Sequence, residues 1–357
     1  MRVVFCWMGV SGYMTACWRE LAGRPGIDLR VLAHAGGTAD TPPFADSLAD
    51  GFRCTLLRSP GPETAGWIAD QVVTAKPDVV VVAGWSFRPY TRLPFDPRLS
   101  GARFVLAMDT PWWGTPRQWL AQVRLARYVR RMDLAVVSGE RSWQYAWRLG
   151  VPQGRIRRGL YGIDGTGCTA AYDRRTARPG GWPRAFLFVG RLDPVKGIRT
   201  LLSGYRRYRT GTPDPWPLIV CGTGPLQPQV AAEPGVDLRG FVQPDDLPGI
   251  WSEAGAFVLA SDYDPWPLAL VEACAAGLPV IHTDACGSAV ELVRPYFNGV
   301  TIGSGDAAAL ARGMQWMHQH HERLPTFGRR AHDLATAYTA DAWADRWVEW
   351  LGELAAV

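Results

Sequence analysis

Lysine is almost missing from this chain: of 38 basic residues only Lys76 and Lys196 are not arginine. No apolar run approaches the ~20 residues that a membrane-spanning helix needs, and "VVVVAGW" already stops at Gly84. The seven cysteines (6, 17, 54, 168, 221, 274 and 286) form no CxxC pair, which argues against a disulfide framework and a zinc knuckle and leaves buried thiols. Histidine is absent between residues 35 and 281. Short-period repeats and low-complexity tracts are lacking too. The opening "MRVVFCWMGVSGY" has no long apolar region ahead of a small-residue cleavage site, so a cytosolic protein is expected. A formal charge of +5 suits anionic small molecules or a negatively charged surface, and is too dispersed for nucleic-acid binding.

What is present is a soluble globular composition, 47% hydrophobic and 20% charged, over 357 residues, enough for two cores. Apolar β-branched runs at 2–7, 28–33, 78–83, 103–107 and 134–138, then at 185–189, 218–222, 236–239, 256–260, 279–283 and 299–302, alternate with helical stretches. Uninterrupted apolar strands between helices predict parallel sheets covered on both faces, hence two doubly wound α/β halves. Residues 163–184, rich in Gly, Pro, Thr and Arg and without periodicity, read as the linker, with a ligand cleft beside it. This sets a first domain over 1–162, a second over 185–335, and an amphipathic segment over 336–357.

Ligands of such sheets bind beyond the carboxyl ends of the strands. The loop after 2–7, "MGVSGY", carries Gly9 and Gly12 but lacks the full G-x-G-x-x-G spacing, which disfavours a Rossmann dehydrogenase. In "GRLDPVKG", Arg191 and Lys196 beside a helix start near Lys196–Gly197 can clamp a pyrophosphate; read alone, the loop is equally a solvated turn. "GTGPL", with Gly222 and Gly224, allows close backbone approach or is simply a tight turn. In "SDYDPWPLALVEACAAGLPVI", Pro265 and Pro267 preset a helix start, Asp264 stands at the rim and Glu272 lies eight residues on. Each acid taken singly could be a cap or a solvated side chain. What that leaves unexplained is why acids, cations and glycine loops all follow strands.

The segments "FLFVGRLDPVKGIRTLLSGY", "LIVCGTGPL", "VDLRGFVQPDDLPGIWSEAGAFVLAS" and "DYDPWPLALVEACAAGLPVI" resemble family-4 retaining glycosyltransferases of the GT-B fold over about residues 185–312, and less so in the first half. The resemblance implies two Rossmann-like domains facing an interdomain cleft, a nucleotide-sugar donor site in the second, and a C-terminal helix over 336–357 that crosses back to the first. It places Arg191 and Lys196 on the donor diphosphate, Glu272 on the ribose, and Asp264 on the donor sugar, as the first acid of a paired-acid motif. Gly190, Gly222, Gly224, Val242, Trp266, Leu268 and Ala269 complete the donor side. Gly9, Gly12, Tyr13, Asp109 and Trp113 form the acceptor side.

The sequence departs from the family in three places. Asp264 is one methylene shorter than the usual Glu, prolines 265 and 267 replace common glycines and offer no N–H, and Met108 stands where relatives have histidine. Catalysis is then expected to rest on stabilising the departing diphosphate, with no metal and no cofactor. Asp109 either orients the acceptor or caps the turn before Trp112. Same-fold alternatives are a nucleotide-sugar epimerase or a phosphorylase; a different-class alternative is a non-catalytic nucleotide-sugar sensor. Most of the 17 tryptophans are scaffold, with Trp7 or Trp113 expected at the acceptor. Residues 117–131 set five arginines on one face, with Trp119 opposite. That helix is either a solvated cover on the sheet or a peripheral contact with an anionic membrane face.

Overall fold

The computed structural model describes residues 1–34, 50–57 and 64–356. The chain forms two compact units, one holding the described residues up to Ile163 and those from Ala340 onward, the other Asp164–Thr339. In the first unit β1 (Arg2–Trp7), β2 (Asp28–His34), β3 (Arg53–Leu57), β4 (Val79–Ala83), β5 (Arg103–Met108), β6 (Leu134–Val137) and β7 (Ile156–Arg158) make a parallel sheet. Its order is β3-β2-β1-β4-β5-β6-β7. In the second, β8 (Phe186–Val189), β9 (Leu218–Cys221), β10 (Val236–Gly240), β11 (Ala256–Leu259), β12 (Val280–Thr283) and β13 (Gly299–Ile302) run β10-β9-β8-β11-β12-β13, again parallel.

The apolar strand runs follow from burial on both faces. Val4, Cys6, Val80, Val82, Leu106 and Met108 enter one core of the first unit, while their neighbours Val3, Phe5, Trp7, Val81, Val105 and Ala107 enter the other. The helix Ala340–Ala355 closes the second of these cores with Trp343, Trp347 and Trp350, beside Trp18 of the helix Gly12–Ala22. Much of the tryptophan content is therefore packing. No described helix is long and apolar enough to cross a membrane.

The structure corrects several expectations. Strands β3 and β7 are additional; both are sheet edges, and "RCTLL" and "IRR" lack an apolar run because an edge strand is only half covered. The stretch read as linker contains the helix Gly165–Thr176, capped by the Asp164 carboxylate, which accepts from the N–H groups of Thr166 and Gly167. Its buried stripe is Cys168, Ala171 and Arg175, a stripe no hydropathy pattern reveals. Trp119, expected opposite the arginines of Pro116–Val129, is exposed on their side; Gln118, Tyr128 and Val129 are buried instead.

Candidate active site

In both sheets the strand order reverses once, between β8 and β11 in the second unit and between β1 and β4 in the first. At such a point adjacent strands send their connections in opposite directions, and the loops beyond their carboxyl ends part around a crevice.

In the second unit the loops flanking that point are "GRLDPVKG" and "SDYDPWPL". Pro194–Lys196 forms a single 3₁₀ turn, in which the Asp193 carboxylate accepts from the Lys196 N–H at 3.1 Å; the α-helix starts only at Ile198. Gly197 sits at φ +66°, and a Cβ there would lie 1.7 Å from the Ala260 carbonyl oxygen, so only glycine lets the two loops approach. They are tied together by the Asp262 N–H donating to the Val195 carbonyl at 2.9 Å and by Lys196 Nζ donating to Asp264 Oδ2 at 2.6 Å. The Ser261 hydroxyl reaches the same carboxylate oxygen at 3.4 Å. Asp264 is buried rather than held at the rim, because the loop after β12 bridges to it through Cys286 and the Gly287 N–H takes its carbonyl at 2.9 Å.

The two cations of the expected clamp have different partners. Arg191 is exposed and pairs with Asp193 at 3.1 Å, whereas Lys196 is mostly buried against Asp264. The glycine loops close on protein: a Cβ on Gly222 (φ +143°) would stand 1.9 Å from the Gly190 carbonyl oxygen, and one on Gly224 would be 2.7 Å from that of Leu192. Val242 follows β10, part-buried. Trp266 is buried on Tyr338, with ring centres 6.0 Å apart and no hydrogen-bond partner for its Nε1. Pro267 caps the helix Leu268–Ala275, whose first residues, Leu268 and Ala269, are part-exposed. Glu272 lies on this helix near Asp164, and its pKa is raised to about 7, by burial first and by the Asp164 charge second.

In the first unit a cavity of about 220 Å³ lies at the reversal, lined among others by Trp7, Met8, Trp85, Met108, Asp109 and Tyr161. Asp109 Oδ2 accepts the Tyr161 hydroxyl at 2.9 Å, and its carbonyl accepts that of Ser142 at 2.7 Å. In the turn that follows Asp109 the Trp112 N–H donates to the Arg141 carbonyl at 3.1 Å. Burial, and then the Asp109 charge, raises the Tyr161 pKa well above its ordinary value. Gly9, Gly12, Tyr13 and Trp113 do not line the cavity; Tyr13 meets Tyr161 edge-on at 5.7 Å, and Trp113 lies exposed under Arg141 at 5.4 Å. Tyr161 escapes sequence reasoning because it follows the short, polar edge strand β7. Among the described residues no group of three His, Cys, Asp or Glu side chains is placed to hold a metal ion.

Residues 173–333 match the family model of glycosyl transferases group 1, a span that includes Lys196, Asp264 and Glu272. The structure of HepE from Anabaena in complex with UDP is similar over 99% of this chain and 100% of that one, with a TM-score of 0.75 at 17% identity. The fold is GT-B. Among curated proteins, the exopolysaccharide phosphotransferase of Streptomyces coelicolor is 27% identical over 172 residues, which is 46% of this chain and 18% of that protein. The putative colanic acid biosynthesis glycosyltransferase WcaL of Salmonella typhimurium is 28% identical over 200 residues, 52% of this chain and 45% of that one. The chain thus spans less than half the length of either curated relative.

Within the GT-B second unit, Glu272 gives a prediction that separates stability from binding. A carboxyl whose folded pKa is about 7 against an ordinary 4.5 contributes stability that is present below pH 4.5 and lost as pH rises through 7. Glu272→Gln is therefore expected to be more stable than wild type at pH 8, by ~1–3 kcal/mol, and nearly equal to it at ~pH 5. Ligand-free melting curves at the two pH values check this; a difference that does not change with pH would contradict it.

Proposed function

We propose that this protein is a glycosyltransferase that moves a sugar, with retention, from a nucleoside-diphosphate sugar to a hydroxyl acceptor. The observation that carries the reading is the Lys196–Asp264 pair, held at 2.6 Å between the two loops at the reversal of the second sheet and inside the segment that matches the family. Lys196 and Arg191 then receive the donor diphosphate, and Asp264 receives a sugar hydroxyl. Glu272 receives the ribose, with Trp266, Leu268, Ala269 and Val242 around them. Two solved neighbours of similar fold hold UDP, one of them a pneumococcal O-GlcNAc transferase that also holds GlcNAc, which favours testing uridine donors first.

The acceptor is assigned to the cavity of the first unit. Its described lining pairs aromatic and methionine side chains with one carboxylate, Asp109, and includes no arginine, lysine or histidine. Such a lining suits an uncharged acceptor with an apolar face, its hydroxyl directed toward Asp109. In the reaction the bond from the sugar carbon to the diphosphate oxygen breaks and its electron pair goes to that oxygen. The same oxygen takes the acceptor's hydroxyl proton while the new carbon–oxygen bond forms on the same face. The cations stabilise the charge that develops on the diphosphate, and the scheme requires no metal.

The test is a thermal-shift screen of UDP-, GDP-, ADP- and dTDP-sugars, in which a bound donor raises the melting temperature as ln(1 + [L]/Kd). It is followed by assay of nucleoside diphosphate released on adding acceptor. Release that depends on acceptor is expected. Stabilisation without release would make the protein a sensor, and sugar conversion without acceptor would make it an epimerase.

A further inference from the structure

Exposed large apolar side chains collect on one part of the first unit. Trp113 (46% exposed), Trp119 (57%), Leu120 (55%), Val123 (78%) and Trp147 (46%) all fall within residues 113–147. They are linked by contact: Trp112 meets Trp119 edge-on at 5.2 Å, and the Arg148 guanidinium lies over both Trp112 (4.9 Å) and Trp147 (5.3 Å). On the helix Pro116–Val129 the exposed side is divided along its length. Trp119, Leu120 and Val123 occupy the N-terminal half beside Arg117, and Arg124 and Arg127, followed by Arg130 and Arg131, the C-terminal part. Residues 110–132 contain five arginines and no acidic residue.

We infer that this surface docks on an anionic phospholipid bilayer. Exposed tryptophan beside arginine is the pairing that settles at the headgroup level, the rings among the upper acyl chains and the guanidinium groups on the phosphates. The charge argues against a second copy as the occupant: a two-fold interface would set the five arginines of residues 110–132, with no acid among them, against their own copies, while Glu140 is already paired with Arg158 and Asp133 with Arg103. The inference is independent of the proposed chemistry and concerns where the protein sits.

The experiment is cosedimentation of the full chain with phosphatidylcholine vesicles, alone and with added phosphatidylglycerol. Binding to the anionic vesicles that weakens with salt is expected, with little binding to phosphatidylcholine alone. Arg117→Gln with Arg124→Gln should weaken it ~30-fold, at the usual contribution of a basic residue near an anionic surface. Trp119→Ser with Val123→Ser should abolish it. All four positions are exposed, so the variants should melt with wild type, which separates lost docking from lost fold. The inference is overturned by absent binding, by equal binding to neutral vesicles, or by variants that bind like wild type. It is overturned equally by a dimer in solution that the Trp119→Ser, Val123→Ser variant converts to monomer, since the occupant would then be a second copy.

Discussion

Lys196→Ala is expected to lower kcat/KM by ~10²-fold or more, a loss of ~3 kcal/mol of transition-state stabilisation, because the ammonium would face the diphosphate as it gathers charge. The structure adds a second consequence. Lys196 also neutralises the buried Asp264 carboxylate, so its removal strands an acid whose side chain is only 8% exposed, and the ligand-free protein should melt lower as well. Combining Lys196→Ala with Asp264→Asn separates the two effects. The double variant should regain much of the lost stability, since no charge is stranded, while turnover stays low. If turnover returned with stability, the pair would be a structural clasp and the assignment of Lys196 to the diphosphate would fail.

The largest expected loss of stability is at Arg175. Its guanidinium is 1% exposed and donates to three carbonyls: that of Ala254 at 2.9 Å, and those of Trp251 and Ala276. These belong to the C-terminal ends of the helices Leu247–Glu253 and Leu268–Ala275, where backbone acceptors are unpaired and the helix dipoles are negative. The Trp182 ring packs under it at 5.3 Å. Among the described residues no carboxylate pairs with Arg175, and burial lowers its pKa to about 9. Arg175→Met keeps most of the volume but leaves three carbonyls without a donor, and is expected to cost ~3–5 kcal/mol. In a unit of this size that is a fall of ~10 °C in melting temperature, readable by scanning calorimetry. Arg175→Lys should not rescue it fully, since an ammonium cannot reproduce the planar fork. A shift of one or two degrees for Met would show that the carbonyls find other donors.

Arg175 also marks where sequence reading stops. Residues 163–184 look like a linker because the helix Gly165–Thr176 is anchored by an arginine, and no hydropathy pattern scores an arginine as core. Edge strands β3 and β7 are hidden for a related reason: half-covered strands carry polar residues, and with β7 the cavity residue Tyr161 goes unnoticed. Trp119 stands exposed on the arginine side because the covered face of the helix Pro116–Val129 is set by Gln118, Tyr128 and Val129, and a buried glutamine is a polar residue that hydropathy does not score as core.

The sequence by itself determined the interior strands and their parallel pairing, since burial on both faces forces unbroken apolar runs. It also determined that the charged and glycine-bearing segments follow the strands. Only the tertiary structure decided which of those segments meet. The reversal of strand order between β8 and β11 brings Lys196 to Asp264 across 68 positions of chain, and glycine at 197 lets their loops close to contact. Local patterns report whether a side chain is covered; they carry no information on the partner that covers it, because that partner is chosen by strand order, and strand order is a property of the assembled sheet.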